Sequence, residues 1–210
     1  MGSTGDLTEL VRLDKCDAKR AADTLGRAFA GYQMIRHYFP IELDAIAIAK
    51  HFLLVGVTSG LRVGEVYATS SLLEGVAVWI PPGSYPVSTL RRFLTSPFLP
   101  LVRFLFRGGL SMMAVGDFFD RRHKVLMQRP HWYLEILGVD PKYQGKGYSS
   151  RLVRAMYPRA DTQSVPIYIE TIGSENAAIY NHLGFSTVEE SLVPSTPLTY
   201  FCLVREPESI

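Results

Sequence analysis

The chain lacks the cysteine and histidine patterns that hold disulfide frameworks or metal ions. Its 210 residues include two cysteines, Cys16 and Cys202, which stand far apart without a partner motif. This excludes a disulfide scaffold and a cysteine-based zinc site. The five histidines contain no pair at metal-ligand spacing, so we predict no metal. The first residues form no apolar stretch, so we expect no signal peptide and a location in the reducing cytoplasm.

The chain also has little net charge. The formal net charge is +2, with 47% hydrophobic and 20% charged residues. Such a composition is typical of a globular protein and gives no reason to expect a nucleic acid or a membrane as partner. The length is that of one domain, so we predict a single domain over residues 1–210.

No uninterrupted apolar run approaches the roughly 18 residues of a membrane-spanning helix. The most apolar region, residues 93–116, is interrupted by Pro97 and Pro100 and by two arginines. It lies in a block, residues 91–129, that holds eight basic and two acidic residues. One interpretation is a buried helical insertion whose arginines extend to solvent. The other is a lid over a binding cleft, or a contact with an anionic partner.

Hydrophobic periodicity predicts a single mixed α/β domain. Helices in the first half flank an antiparallel hairpin, and the second half contains a β-α-β crossover. We therefore expect a central, mostly antiparallel sheet flanked by helices, with a helical insertion before the fourth strand, at about residues 84–130. The helix over residues 43–58 is apolar most of the way round and is expected to be buried. The predicted helices are 14–31, 43–58, 149–160 and 175–183, and the strands are 64–70, 75–80, 131–139, 166–171, 185–190 and 197–204.

The most informative segment is the loop between the strand 131–139 and the helix 149–160, which reads GVDPKYQGKGYSS. Gly145 and Gly147 allow a tight turn and a close approach of the backbone to a ligand. The first helical turn offers unpaired N–H groups, which favour phosphate. The loop matches neither the P-loop nor the dinucleotide pattern. It is either a phosphate-binding loop of another kind or an ordinary strand–helix turn.

Two strings in the second half resemble the signatures of one superfamily. The string Gln144-x-x-Gly147-x-Ser149 resembles the acyl-CoA pyrophosphate loop of the GNAT N-acetyltransferases. The later string, Ile169-Glu170-Thr171 followed by Asn176, Tyr180 and Gly184-Phe185, resembles the second GNAT signature at the expected distance. Ser149 stands where Gly or Ala is common and adds a hydroxyl that can reach phosphate.

Further patches resemble the puromycin N-acetyltransferase branch of the superfamily. They are residues 27–32 with Arg36-His37, the segment 131–147, and the tail from Thr196-Pro197 to Pro207. The helical insertion before the fourth strand also fits that branch. In the first half of the chain the resemblance is limited to separate patches. It therefore does not identify the substrate.

The resemblance implies direct transfer of an acetyl group from acetyl-CoA to an amine in a ternary complex, without a metal. The pantetheine arm would lie along the fourth strand. Gly138 is expected at a bulge that opens the thioester slot. Asn176 would bond the pantetheine amide, or else cap its helix. The implied cofactor-binding residues are Leu137, Gly138, Val139, Gln144, Gly145, Lys146, Gly147, Tyr148, Ser149, Ser150, Asn176 and Tyr180.

Three residues are candidates for proton transfer. The resemblance implies that Tyr180 protonates the leaving thiolate, unless it only packs against the sulfur end of CoA. Glu135 is the first choice of base because it is the only charged residue of its strand, where it shares parity with Tyr133 and Leu137. It could instead face solvent or pair with an insertion arginine. Glu170 is the second choice, or a structural carboxylate.

For the acceptor pocket we predict an aromatic wall, although each of its residues could instead belong to the core. Such a wall favours a bulky or heterocyclic small-molecule amine, as in detoxification of a xenobiotic or antibiotic, or a metabolic amine. A peptide, protein or polyamine acceptor is an alternative, as is an acyl-CoA sensor without catalysis. We expect a monomer or a homodimer, in which the final strand near Cys202 could pair. The predicted acceptor residues are Phe29, Tyr32, His37, Trp79 and Trp132.

Overall fold

Seven strands form a single sheet in the computed structural model, which describes residues 6–39, 42–85 and 110–208. The order across the sheet is β1-β2-β3-β4-β5-β7-β6. Neighbours are antiparallel except β4 and β5, which are parallel, so the predicted mixed, mostly antiparallel sheet is confirmed. The strands are β1 (Val11–Arg12), β2 (Glu65–Ala68), β3 (Gly75–Ile80), β4 (Trp132–Val139), β5 (Ile167–Ile172), β6 (Ser186–Leu192) and β7 (Thr199–Arg205).

The final strand, β7, lies between β5 and β6 and pairs with both. Its backbone is therefore satisfied on either side. The suggestion that the strand around Cys202 pairs across a dimer is wrong for this reason.

The helices cover both faces of the sheet. The predicted helix 149–160 is divided in two, because Pro158 lies in the first turn of the second helix and has no N–H to continue the first. The sequence prediction missed α2. Of the predicted insertion, α4 is described, and residues 86–109 lie outside the described residues. The helices of the described ranges are α1 (Ala18–Phe29), α2 (Gln33–Tyr38), α3 (Glu42–Val63), α4 (Leu110–Leu126), α5 (Tyr148–Arg154), α6 (Tyr157–Thr162) and α7 (Ser174–His182).

Three groups of buried side chains make up the core. On one face of the sheet, α5, α6 and α7 pack on β3, β4, β5 and β7. On the other face, α1, α2 and α3 cover β2, β3 and part of β4. The same face is covered farther along by α4, which packs on β5 and β7. The two faces thus carry different helices, and the active-site candidates divide between them.

Helix α3 is less buried than its composition predicts. Ala49, Leu53 and Val57 form a fully buried stripe. Ile46 and Phe52 are 48% and 37% exposed. The expectation of burial most of the way round is wrong, because α3 lies against its neighbours along one stripe only.

A β-bulge occurs in β4, at Glu135. Val78 pairs with Ile136 and Trp79 pairs with Leu134, which leaves Glu135 as the extra residue. The expectation of a bulge at Gly138 is therefore wrong, since Gly138 pairs in register with Val76.

The bulge changes which side chains share a face. Trp132, Leu134 and Leu137 pack into the core beneath α5–α7, whereas Tyr133 and Ile136 pack on the opposite face. One inserted residue reverses the alternation beyond it, so the predicted parity of Tyr133 with Leu137 is wrong.

The presence of a glycine at position 138 has a different structural explanation. A Cβ atom at this position would lie 2.7 Å from Leu25 Cδ2 and 3.1 Å from Ala28 Cβ. Glycine therefore allows α1 to lie close to the end of β4.

β4 and β5 separate beyond their first residues. Their parallel register covers Trp132–Leu134 and Ile167–Ile169 and ends there. The second half of β4 thus pairs with β3 but not with β5, which opens the sheet on the side towards residues 170–172. In the described residues, no helix is both long and apolar enough to cross a membrane.

Candidate acyl-transfer site

A cavity of about 710 Å³ occupies the opening between β4 and β5. It extends from the loop after β4 to the side chains beneath α4. Most of the predicted site residues line this one cavity, although they come from separate parts of the chain. The lining includes Glu135, Glu170 and Tyr180; Leu137, Gly138, Val139, Gln144, Gly145, Gly147, Tyr148, Ser149 and Asn176; and Phe29 and Tyr32.

The loop after β4 is held in place by Asp140. This carboxylate is 4% exposed, accepts a hydrogen bond from the Lys142 N–H at 3.1 Å, and pairs with Arg27 Nε at 2.6 Å. Burial alone would raise the pKa of Asp140, but the Lys142 backbone and Arg27 outweigh it and hold the pKa below its usual range. The start of the loop is thereby tied to the end of α1.

Two glycines give the loop its shape. Gly145 and Gly147 have φ angles of +76° and +79°, a backbone region that side chains rarely adopt. Nothing in the described residues lies within 4 Å of a Cβ built at either position. In the described parts of the chain, no hydrogen bond uses the backbone N–H groups of residues 145–149. The loop thus presents a row of available donors to the cavity side, as an anion site requires.

Side-chain contacts of other loop residues stabilise the conformation of the loop. The Gln144 side chain donates to the Val139 carbonyl oxygen at 3.1 Å, closing the loop against the end of β4. Lys146 lies over the Tyr143 ring at 5.5 Å, and the Ser150 hydroxyl accepts from Arg154 Nε at 3.1 Å. Lys146 and Ser150 do not line the cavity, unlike the residues between and around them.

Tyr180 and Asn176 project from α7. Tyr180 is 8% exposed and packs edge-on against Phe185, with ring centroids 5.9 Å apart. Burial raises the pKa of Tyr180 above its ordinary value, so the phenol holds its proton at neutral pH. The Asn176 amide nitrogen donates to the Ile172 carbonyl oxygen at 2.9 Å, which joins α7 to the end of β5.

Glu170 is held by tyrosine hydroxyl groups from three strands. Tyr200 donates to its carboxylate at 2.6 Å, Tyr168 at 2.9 Å and Tyr133 at 3.0 Å. Burial raises the pKa of Glu170 to about 7; the tyrosine hydrogen bonds oppose this rise and the charge of Asp120 adds to it. A carboxyl group with this pKa can exchange a proton with a bound ligand near neutrality.

Glu135 also faces the cavity from the bulge. Both of its carboxylate oxygens are buried. The bulge follows Leu134, the last residue of β4 that pairs with β5.

The acceptor prediction is only partly supported. Phe29 and Tyr32 line the cavity, with ring centroids 5.2 Å apart. The structure contradicts the prediction for the two tryptophans: Trp79 and Trp132 are 0% and 1% exposed and belong to the core beneath α5–α7. It also contradicts His37, which is exposed on α2 and does not line the cavity. Aromatic composition did not distinguish a core residue from a cavity residue.

The sequence prediction missed the residues at the α4 end of the cavity. Tyr85, Phe119, Asp120 and Tyr133 line it there, and the Tyr85 hydroxyl donates to Asp120 at 2.5 Å. They come from a segment after β3, from α4 and from β4. The recurrence of tyrosine on strands that became neighbours was a sequence signal for Tyr133 alone.

A pair of buried histidines lies behind this end. His123 on α4 and His131 before β4 are 0% and 8% exposed, with their Nε2 atoms 2.7 Å apart. His131 Nδ1 lies 2.7 Å from the Arg129 carbonyl, an acceptor, so it carries the proton. His123 must then donate through Nε2. Burial lowers the pKa of His123 to about 3, and both rings are neutral at physiological pH.

Comparison with known proteins agrees with this geometry. Residues 103–185 match the model of the acetyltransferase (GNAT) family. An uncharacterized N-acetyltransferase of Schizosaccharomyces pombe is 35% identical over 97 residues, which are 43% of this chain and 38% of the yeast protein. The match thus spans well under half of the curated relative. Residues 103–185 of the chain are thus similar to the GNAT acetyltransferase family.

Solved structures share the fold over almost the whole chain. A structure of histone acetyltransferase HPA2 and related acetyltransferase from Corynebacterium glutamicum has a TM-score of 0.64 at 19% identity, with 96% of this chain and 97% of that chain covered. Arylalkylamine N-acetyltransferase 2 from Aedes aegypti has a TM-score of 0.57 at 13% identity, with 95% and 98% covered. At these identities the likeness concerns the fold alone.

Proposed function

We propose that the chain transfers an acetyl group from acetyl-CoA to a small-molecule amine in a ternary complex. The observation that carries this proposal is the continuous cavity between β4 and β5. It joins the loop of residues 143–149 to Glu170 and Tyr180.

Acetyl-CoA fits one end of this cavity by its chemistry. The free N–H groups of residues 145–149 suit the pyrophosphate. The edge of β4 over residues 135–139 has no pairing with β5, so an extended pantetheine arm can add to it as a strand would. Backbone donors along this edge would also polarise the thioester carbonyl.

Glu170 is the base that we propose for the amine. An alkylamine with a pKa of about 10.4 must lose a proton before it attacks, and a base near neutrality is suited to receive it. The pKa of Glu170, about 7, meets this requirement, and three hydroxyl groups fix its carboxylate. Glu135, the first choice from sequence, remains the alternative because it also lines the cavity, on the part of β4 that does not pair with β5.

Tyr180 is the proposed general acid. The neutral amine forms its bond to the thioester carbon, the carbon–sulfur bond breaks, and the thiolate takes the phenolic proton. The acylated nitrogen then loses its excess proton to the phenolate, which restores the phenol and leaves a neutral amide. Because burial keeps the phenol protonated, the proton is present when the thiolate leaves.

The cavity lining supports an amine acceptor with an aromatic part. Four carboxylates line it, and among the described lining residues there is neither a lysine nor an arginine. Phe29, Tyr85, Phe119 and Tyr133 supply aromatic surface. A xenobiotic, antibiotic or metabolic amine of this kind fits best, and detoxification in the cytoplasm would be the corresponding role. The acidic lining also favours the second candidate, a polyamine, over a protein lysine that must enter as part of a chain.

Calorimetric titration with acetyl-CoA, and with free CoA for comparison, tests the proposal. We expect binding near micromolar, followed by thiol release when aminonucleosides, arylalkylamines or polyamines are added. Binding without thiol release from any amine would indicate an acyl-CoA sensor. A folded sample that binds no acetyl-CoA at millimolar concentration would overturn the proposal.

A further inference from the structure

The two carboxylate oxygens of Glu170 have different surroundings. Oε1 accepts hydrogen bonds from the Tyr200 hydroxyl at 2.6 Å and from the Tyr168 hydroxyl at 2.9 Å. Within the part of the chain that the structure describes, Oε2 accepts one hydrogen bond, from the Tyr133 hydroxyl at 3.0 Å. A carboxylate oxygen accepts about two hydrogen bonds. Oε1 is therefore fully occupied, whereas Oε2 can accept one more donor.

The sheet register explains this difference. Glu170 of β5 pairs with Cys202 of β7, so Tyr168 and Tyr200, each two residues along its own strand, lie on the same face of the sheet. Both tyrosines are 0% exposed and do not line the cavity. Tyr133 comes from β4 and does line it. Oε1 is thus held by core side chains, and Oε2 is held by a cavity side chain.

Cys202 supports the two core tyrosines. Its thiol donates to the Tyr200 oxygen at 2.8 Å, and its sulfur lies 3.1 Å from the Tyr168 oxygen. A phenol has a single proton, and a carboxylate is a stronger acceptor than a thiol sulfur. Tyr168 therefore donates to Glu170. The Tyr200 ring also packs on Phe119 of α4, with ring centroids 4.5 Å apart, so the donors to Oε1 are fixed from two elements.

We propose that Glu170 takes the proton of the acceptor ammonium at Oε2, that Tyr133 contacts the same nitrogen, and that Tyr168 and Tyr200 are positioning residues that hold Oε1; the inference rests on the proposed function. The ammonium gives one N–H proton to Oε2, and the electron pair of that bond stays on the nitrogen for the attack. Glu170 becomes a neutral acid and passes the proton to water when the product leaves. The Tyr133 oxygen, which donates its own proton to Oε2, accepts a second N–H of the ammonium.

Charged groups of α4 lie near this network. The charge of Asp120 raises the pKa of Glu170, and its carboxylate accepts a hydrogen bond from the Tyr85 hydroxyl at 2.5 Å. Arg122 pairs with Glu189 of β6. The variants of the test change none of these groups, so differences in the pKa of Glu170 between the variants report on the tyrosine hydroxyl groups.

Other titratable groups around the network keep their charge over the range of the test. The Tyr32 hydroxyl accepts from the Ile172 N–H at 2.9 Å, and burial raises the pKa of this phenol. Burial also raises the pKa of Cys202 to about 12. His123, whose ring centroid lies 4.3 Å from that of Tyr168, has a pKa that burial lowers to about 3. Tyr32, Cys202 and His123 therefore do not change charge between pH 5.5 and 9.

The test compares Tyr200→Phe with Tyr133→Phe. Each substitution removes a hydrogen bond that stabilises the charged carboxylate, so each should raise the pKa of Glu170 and move the acid limb of kcat upward by about one pH unit. Only Tyr133→Phe should also raise the amine KM, by about tenfold, because it removes an acceptor for the ammonium. Tyr200→Phe should retain the kcat of the unmodified protein at high pH and its Kd for acetyl-CoA.

Tyr157→Phe is the matched control. The Tyr157 hydroxyl donates to the Leu183 carbonyl oxygen at 2.6 Å, outside the cavity, so this variant loses one phenol hydrogen bond without a contact to Glu170. It should keep both the acid limb and the amine KM. Should Tyr200→Phe fail to fold, Tyr168→Phe gives the same measurement, with the same expected shift.

Two results would overturn the inference. One is an acid limb in Tyr200→Phe that stays at the pH of the unmodified protein, since Tyr200 would then not act on the base. The other is an amine KM that changes equally in Tyr200→Phe and Tyr133→Phe, or in neither, since the two carboxylate oxygens would then not have separate roles.

A spectroscopic titration separates this inference from the proposed function. With glutamate labelled at ¹³Cδ and the Glu170 signal assigned through Glu170→Gln, the midpoint of that signal should rise by about one pH unit in Tyr200→Phe and stay in place in Tyr157→Phe, without any substrate. An unchanged midpoint in a protein that acetylates amines overturns the inference alone. Failure to bind acetyl-CoA overturns the proposed function, and the spectra still report on Tyr200.

Discussion

The two ends of the cavity are built in different ways. At the loop end, the lining includes one continuous segment, residues 143–149 apart from Lys146, whose backbone N–H groups from residue 145 onward are not hydrogen-bonded in the described residues. At the α4 end, side chains from β4, β5, α4 and the segment after β3 supply it. A ligand bound by a continuous backbone depends on local conformation, whereas a ligand bound by distant side chains depends on the packing of the whole sheet. We therefore expect substitutions at the two ends to have separable effects on cofactor affinity and on turnover.

The largest expected effect is loss of acetyl-CoA binding in Gly147→Val. A valine would be strained at a φ of +79° and would place its side chain over the loop donors. Loss of two or more hydrogen bonds to a charged group predicts a Kd at least about 10²-fold higher. Calorimetry with acetyl-CoA measures this.

Gly83→Val is the matched control for that prediction. Gly83 has a φ of +81° and equally open surroundings, but it does not line the cavity. It carries the same backbone strain without the contact to cofactor. Normal affinity in Gly147→Val, or equal losses in both variants, would contradict the assignment of the loop.

The second prediction compares the two carboxylates at the other end. Because the pKa of Glu170 is about 7, kcat should fall about tenfold for each pH unit below 7 as this base takes up a proton. Glu170→Gln should remove that acid limb and lower kcat by about 10²-fold at neutral pH, with acetyl-CoA affinity retained.

Glu135→Gln serves as its counterpart, since it changes a neighbouring cavity carboxylate in the same way. We expect the acid limb to persist in Glu135→Gln, measured as kcat between pH 5.5 and 9. If the limb disappears in Glu135→Gln and stays in Glu170→Gln, the base is Glu135 and the tyrosine-held carboxylate is structural.

The smallest effect that we predict concerns stability at the α4 end. Burial lowers the pKa values of His123 and His131 in the folded protein. In the unfolded chain both histidines have the ordinary pKa value of about 6.5. The unfolded chain thus binds more protons below pH 6.5, and the free energy of unfolding falls as the pH falls. Each histidine contributes at most about 1.4 kcal/mol per pH unit.

Thermal unfolding between pH 5 and 8 checks this prediction, with His123→Gln for comparison. The aromatic groups around His123 are Tyr85, Tyr133 and Tyr168, which remain neutral in this range. The variant should therefore lose part of the dependence of Tm on pH below 6.5. An identical dependence in both proteins would show that His123 is charged in the folded state.

Sequence reasoning succeeded where a feature is local. The loop of residues 143–149 and the order of strands and helices, apart from β1 and α2, follow from glycine positions, periodicity and short strings. It failed where one residue alters the register, as at Glu135, and where hydrophobic aromatics had to be assigned to core or cavity, as at Trp79 and Trp132.

The sequence by itself determined the resemblance to the GNAT acetyltransferases, the sheet with its flanking helices, and the glycine-containing loop after β4. These depend on hydrogen bonds and side-chain periods within a few consecutive residues. Only the tertiary structure decided that three tyrosines surround Glu170, that the bulge turns Glu135 into the cavity, and that Tyr32 meets the end of β5. Each of these depends on which distant strands become neighbours, and on their register, and long-range pairing is set by packing of the whole core.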